Sequence, residues 1–348
     1  MFDDENFNIE LKENQIEVVL LSHGTGECIL IKYEENHWII LDSFLYNKEP
    51  IAKIYLDKLG VDSSCVHFIG VTHWHDDHIK GFRELLKVYK DSEVLISMDN
   101  TFEKILIKKY CNEDGEFLST FKLLESEKKR RKFRIAGERK LLRKTQTLTL
   151  KSLTPQDSLI SLGIFDKILN KDVKYPSHLN LFSIVLHCKM KNTSILLGAD
   201  MENHNSEIGW EAIVRDNEDL EKASLFKIPH HGSKTGYNKK IWNKMLTSDA
   251  IAILAPYSKC KSSPPQKEDL ENIIKHVKKV YIACKTKSLK NITSKTLISD
   301  PKMVELFDSL ATIKESVEEK MGGIRLSKDA TSGSWDVDLL GSAFCYSS

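Results

Sequence analysis

Val66-His67-Phe68-Ile69-Gly70-Val71-Thr72-His73-Trp74-His75-Asp76-Asp77-His78-Ile79-Lys80-Gly81 decides how this chain is read. Its first half is an apolar run of strand length, rich in β-branched and aromatic residues. That run delivers His73, His75, Asp77 and His78 within six positions of one another. A strand, a tight loop and a helix start turn His73 and His75 to one side and Asp77 and His78 to the other. Two ligand pairs imply two metal ions. The donors are nitrogen and oxygen without thiolate, a set that suits Zn²⁺ and admits Mn²⁺ or Fe. The plain alternative is a His-rich turn that binds nothing, but the neighbouring sequence carries no such bias.

A dinuclear centre built from these four residues alone lacks ligands, so the chain must supply a bridging carboxylate and further imidazoles. Asp200 and the pair His230-His231 are the candidates, because each follows directly on an apolar strand-like run. A ligand in that position faces the rim where the strands end.

His73-Trp74-His75-Asp76-Asp77-His78 resembles the H-x-H-x-D-H signature of the metallo-β-lactamase-fold hydrolases. Three further motifs resemble the ComEC-type branch of that superfamily, the soluble hydrolase module of DNA-uptake proteins. They are Asn180-Leu181-Phe182-Ser183-Ile184-Val185-Leu186, Leu196-Leu197-Gly198-Ala199-Asp200 and Pro229-His230-His231-Gly232-Ser233. The resemblance runs from Ile16 to Ala283 and departs from the pattern at Ala199, where the branch has Gly directly before Asp.

This resemblance implies an α/β fold, the four-layer αββα sandwich. It implies that Asp200 bridges two divalent ions, zinc before manganese. His73 and His75 would hold one ion, and Asp77, His78 and His230 the other. His231 would then serve as a general acid or an oxyanion donor, although the two adjacent histidines are interchangeable at this stage. The catalytic set so implied is Asp77, Asp200 and His231. His178 falls where many members keep a third imidazole for the first ion, with a surface-loop histidine as the alternative. Asp42, at the end of a strand, would brace the metal loop by hydrogen bonding, or be a plain turn residue. Asn180 is a polar candidate for supporting the site.

The rest of the chain agrees with a soluble α/β protein. Its 348 residues are 41% hydrophobic and 29% charged, with a mean hydropathy of −0.33. We expect one domain over 1–348, with a charged helical insertion at 101–144 and a C-terminal extension at 301–348 packed on the outer sheet. Strand-like runs occur at Ile16 to Leu21, Cys28 to Tyr33, Trp38 to Asp42, Leu181 to Leu186, Ser194 to Asp200 and Ser224 to Ile228. Helical spacing between several of them implies layers of helices on sheets. The seven cysteines stand singly, the start is acidic, and no apolar run has the length of a membrane span. A cytoplasmic protein with no membrane partner is the expectation.

The formal net charge is only +1, so a nucleic-acid partner must be argued from local clustering. Such a cluster lies at Lys128, Lys129, Arg130, Arg131, Lys132 and Arg134, with Arg139, Lys140, Arg143 and Lys144 beyond it. If the segment overhangs the cleft it binds nucleic-acid phosphates; otherwise it is a solvated face. The expected function is a phosphodiesterase or nuclease acting on DNA or RNA through a dinuclear metal-activated hydroxide. A hydrolase of a small ester, thioester or lactam is the alternative, and a degenerate metal-bound subunit that binds a partner is a second. Small ComEC-like hydrolases also occur beside partner ATPases, which makes an ATPase a candidate partner. Oligomeric state has no signal in the residues.

Overall fold

β1 (Gln15–Ser22), β2 (Glu27–Tyr33) and β3 (His37–Leu41) open the chain as an antiparallel meander. Nearly every position in them is buried, because both faces of the meander are covered. In β1, Val19 and Leu21 pack outward against helices, while Val18 and Leu20 pack inward against a second sheet. That is the period-2 alternation of a strand with an apolar environment on each side. The molecule is a computed structural model that describes residues 15–97, 116–161, 177–260, 262–290, 292, 301–302, 304–305, 321–329 and 333–347.

A short ribbon, β4 (Leu45–Tyr46) with β5 (Glu49–Pro50), and helix α1 (Ile51–Lys58) lead to β6 (Val66–Gly70). After the His-rich loop come α2 (Asp76–Ile79), α3 (Phe82–Val88), β7 (Glu93–Ile96), α4 (Glu116–Glu127) and β8 (Phe133–Ile135). The chain then crosses to β9 (Lys140–Lys144), β10 (Leu148–Ser152) and α5 (Ser158–Ser161). It continues through β11 (Leu186–Met190), β12 (Thr193–Leu197), α6 (Trp210–Asp216), β13 (Ala223–Lys227), β14 (Leu246–Leu254), α7 (Lys267–Ile273) and β15 (Lys279–Ile282). β16 (Gly322–Asp329), β17 (Asp336–Gly341) and β18 (Phe344–Ser347) close it.

Among the described residues two eight-stranded sheets result, besides the β4-β5 ribbon, in the orders β17-β16-β1-β2-β3-β6-β7-β8 and β18-β15-β14-β13-β12-β11-β10-β9. Three apolar clusters mark the interfaces of the layers. One lies between α1, α3 and α4 and the first sheet, one between the two sheets, and one between the second sheet and α6 and α7. This is the expected αββα sandwich. Each sheet contains a parallel run, β3-β6-β7-β8 reaching one edge of the first and β12-β13-β14-β15 within the second. The loops after β6, β12 and β13 therefore leave the sheets at carboxyl ends, where ligands of an α/β sandwich gather.

Two local expectations change. Leu181 to Leu186 is not one strand: Leu181 and Phe182 end a 3₁₀ turn, and the strand begins at Leu186. Apolar residues bury as well in such a turn as in a strand, so hydrophobicity alone cannot place the boundary. Ile184 N, freed from the ladder, donates to Thr72 O in the His-rich loop at 2.9 Å.

The segment expected as an overhanging insertion is instead woven into both sheets, through β8 at one edge and β9 at the other; 101–115 lies outside the described residues. The tail supplies edge strands, β16 and β17 to the first sheet and β18 to the second. Unpaired sheet edges invite such strands. Among the described residues no helix is long and apolar enough to cross a membrane.

Candidate metal centre

Strand β6 ends at Gly70, and the backbone then passes Val71 and Thr72 before presenting His73, which is fully buried. Thr72 is held from both sides by Asp42. Its N–H donates to Asp42 Oδ1 and its hydroxyl to Asp42 Oδ2, each at 2.7 Å. Asp42 Oδ2 also accepts from His78 Nδ1 at 2.8 Å. One buried carboxylate thus ties the start of the loop to a histidine at its far end. Asp42 manages this from a left-handed conformation, φ 61°. Asp is among the few non-glycine residues that visit this region readily.

With Nδ1 donating to Asp42, His78 turns Nε2 inward, and this atom is buried without a hydrogen-bond partner. It faces Asp77 Oδ2 at 3.4 Å and Asp200 Oδ2 at 3.6 Å. His231 repeats the arrangement from the other sheet: Nδ1 donates to Ala255 O at 3.1 Å, and Nε2 lies 3.1 Å from Asp77 Oδ2 and 3.2 Å from Asp200 Oδ2. Asp77, His78, Asp200 and His231 so form one buried four-ligand group whose donor atoms lie within 4.8 Å of one another.

Imidazole lone pairs and carboxylates aimed at one another repel unless a cation or proton lies between them. The titration behaviour says the same. Burial pushes the Asp77 carboxyl up, yet His78 and His231 outweigh it and hold the carboxyl well below the usual range. Burial pushes His231 down, but Asp200 and Asp77 outweigh it and raise it to about 10. The group calls for positive charge, and a divalent ion answers that call.

Beside it, His73 Nε2 and His75 Nδ1 converge to 3.0 Å. Two nitrogens each about 2.1 Å from a tetrahedral ion stand roughly 3.4 Å apart, so a small opening of the pair admits a common metal. Burial, reinforced by His78, holds His73 well below its ordinary value, which leaves it neutral. Asp200 Oδ2 is 3.8 Å from His73 Nε2, so this one oxygen faces both groups. The donor set therefore fits two divalent ions.

Asp200 follows β12 through Gly198 and Ala199. A side chain at Gly198 would meet Lys227 O at 2.9 Å, so only glycine permits this approach of the two strands. Ala199, the residue that departs from the motif, is left-handed at φ 43°, and its carbonyl accepts from His230 N at 3.0 Å. His230 and His231 are also left-handed, at 46° and 54°. Strained backbone thus gathers around these ligands.

The places of the two adjacent histidines are the reverse of those implied by resemblance. It is His231 that meets Asp77 and Asp200. His230 is turned away by the left-handed step, its Nδ1 lying 2.8 Å from both Glu202 Oε1 and Thr235 Oγ1. Asn180 Nδ2 lies 3.3 Å from His230 Nε2, so Asn180 supports His230 rather than an ion. The side chain of His178 lies outside the described residues.

The basic segment goes elsewhere. β8 runs parallel to β6 and β7, and the residues before it sit at the amino ends of these strands, where Lys132 O accepts from Val94 N at 2.9 Å. The His-rich loop leaves from the opposite ends. Arg131, its side chain 3% exposed, spends its donors on Glu127 Oε2 at 2.8 Å, Tyr89 O at 2.9 Å and Leu86 O. Lys132, Arg134 and Arg143 converge on Glu93. Lys128 lies over the Phe133 ring, and Lys129 and Arg130 are exposed.

Four residues near the centre escaped the sequence reading. Glu202 holds His230. Tyr257 stacks on His231, the ring centres 5.1 Å apart. Glu27 and Lys227 form a fully buried ion pair at 2.5 Å between β2 and β13. A signal existed for Lys227, the single charge of β13, since such a charge is seldom buried without a partner; Glu27 shares β2 with Lys32 and stood out less.

Comparison with known proteins agrees with the fold. The profile of the Metallo-beta-lactamase superfamily matches residues 21–241. The chain belongs to this superfamily. Similar solved structures include the metallo-β-lactamase fold protein YhfI from Bacillus subtilis, 12% identical, covering 62% of this chain and 70% of that one with a TM-score of 0.36. A metallo-β-lactamase of Cronobacter sakazakii is 12% identical over 60% and 73% with a TM-score of 0.34. The subclass B3 enzyme MEM-A1 from a soil metagenome is 14% identical over 65% and 83% with a TM-score of 0.37. No curated protein sequence matches.

Proposed function

We propose that this superfamily hydrolase is a phosphodiesterase of the ComEC-type branch, working with two divalent ions, zinc foremost. The observation that carries the hydrolase reading is the convergence of Asp77, His78, Asp200 and His231 beside the pair His73 and His75. Asp77, His78 and His231 would hold one ion and His73 and His75 the other, with the Asp200 carboxylate facing both groups. Bound there, the ions supply an activated water and a Lewis-acid hold on the oxygens of the reacting group. Asp42 keeps Thr72 and His78 in place. His230, oriented by Glu202 and 24% exposed in its side chain, is offered to the substrate beside Asn180.

Two features favour an anionic diester over a neutral ester or lactam. One is the motif set around Asp200 and Pro229-His230-His231-Gly232-Ser233. The other is the pair Lys80 and Lys259 near the β1–β2 turn, Lys80 standing two residues past His78 and pairing with the exposed Asp76 at 3.2 Å. Ser258 N donates to Gly24 O at 2.7 Å, and burial, with smaller contributions from Lys259 and Lys80, depresses His23 to about 4. These lysines, not the segment before β8, are the cations we assign to substrate phosphates.

The test is turnover of bis-p-nitrophenyl phosphate, single- and double-stranded DNA, RNA and a chromogenic cephalosporin by metal-loaded protein, with Asp200→Ala as control. Diester cleavage lost in the control supports the proposal. Cleavage of the lactam with none of the diesters replaces it with the small-molecule alternative.

A further inference from the structure

Lys227 and Glu27 lie beneath the ligands, each fully buried and each reaching from a different sheet. A buried ion pair is a poor device for stability. Two well-packed apolar residues of similar size usually serve the fold as well or better, because both charges must be stripped of water. Its position offers another reason. Lys227 Nζ donates to Ala199 O at 3.2 Å and lies 3.9 Å from Asp200 Oδ1. That oxygen is buried without a hydrogen-bond partner, whereas Oδ2 of the same carboxylate faces the three imidazoles. Glu27 in turn faces the outer nitrogens of two ligand histidines, with Oε1 3.9 Å from His78 Nδ1 and Oε2 3.7 Å from His231 Nδ1.

We propose that Lys227 and Glu27 are positioning residues, an ion pair across the sandwich that keeps the two ligand loops in register and turns Asp200 Oδ2 toward the metals. The inference rests on the metallohydrolase reading. The pair is neutral as a unit, so replacing both members removes little net field from the centre. What is lost is the geometry: the hold on Ala199 O, the cation 3.9 Å from Asp200 Oδ1, and the carboxylate behind His78 and His231. Metal affinity, rather than folding, is the quantity this arrangement sets.

The decisive variant is Glu27→Met combined with Lys227→Met in the full chain, which leaves no orphan charge. Zn²⁺ is titrated against a chromophoric chelator, Co²⁺ absorption reports ligand geometry, and thermal unfolding of the metal-free form reports the fold. The expected result is a variant that unfolds at or above the wild-type temperature, yet binds at least one ion about tenfold or more weakly with an altered Co²⁺ spectrum. Wild-type affinity and spectrum in the folded variant overturn the inference and leave the pair a packing feature. A variant that does not fold also overturns it, since the pair then holds the sandwich and not the site. If the wild-type chain itself takes up neither ion, the metallohydrolase reading fails before the pair is tested.

Discussion

The His-rich centre and the basic segment before β8 are the two densest patches of chemistry in the sequence, and the fold treats them in opposite ways. In the centre, groups far apart in the chain converge with unsatisfied atoms: His78 Nε2 and Asp200 Oδ1 are buried without hydrogen-bond partners. In the basic segment the charges are largely consumed where they stand. Glu93 alone takes Lys132, Arg134 and Arg143, and Arg131 is absorbed by Glu127 and two carbonyls. A run of like charge in a sequence is therefore no measure of the potential it presents. What marks a site is polar capacity left unspent in a place shielded from water.

The largest expected effect breaks the comparison at its strong end. His231→Ala should lose one ion per chain and lower turnover of a chromogenic diester by about 10³-fold, roughly 4 kcal/mol of barrier. His230→Ala should retain both ions and lose about tenfold. Elemental analysis and kinetics on the two variants decide it, and full metal content in His231→Ala defeats the assignment.

Next comes the brace. Asn tolerates the left-handed backbone of Asp42, so Asp42→Asn removes the charge with little strain. Metal affinity should fall by about 10- to 100-fold, measured by chelator competition. An unchanged affinity would mean that Asp42 shapes only the loop.

At the other region the expected readout is stability. Arg131→Ala leaves two carbonyls and Glu127 without their donor and should cost about 2 kcal/mol in urea unfolding, with metal content unaltered. The smallest effect is a predicted absence. Neutralising Lys128, Lys129 and Arg130 together should leave the affinity for single-stranded DNA and its salt dependence as in the wild type. Lys80→Ala with Lys259→Ala should flatten the salt slope by about two. A flattened slope in the first variant would return the basic segment to the nucleic-acid surface.

Local pattern carried much of this protein in legible form. Strand period and the H-x-H-x-D-H spacing in Val66 to Gly81 are properties of neighbouring residues, so the β6 strand, its loop and the layered α/β class follow from the chain alone. Asp200 and the pair His230-His231 were also legible, because a polar residue directly after an apolar strand must emerge at a sheet rim. Which histidine of the pair points inward was not. That depends on left-handed φ angles at His230 and His231, and at Ala199 whose carbonyl holds His230 N, which sequence does not encode one residue at a time. The pairing of Glu27 with Lys227, 200 positions apart by their numbers, and the consumption of the basic segment by Glu93 were likewise settled only when two sheets closed on each other. Spacing along the chain decides what a loop can present; the packing of distant strands decides which of those groups meet, and which are left with unspent charge.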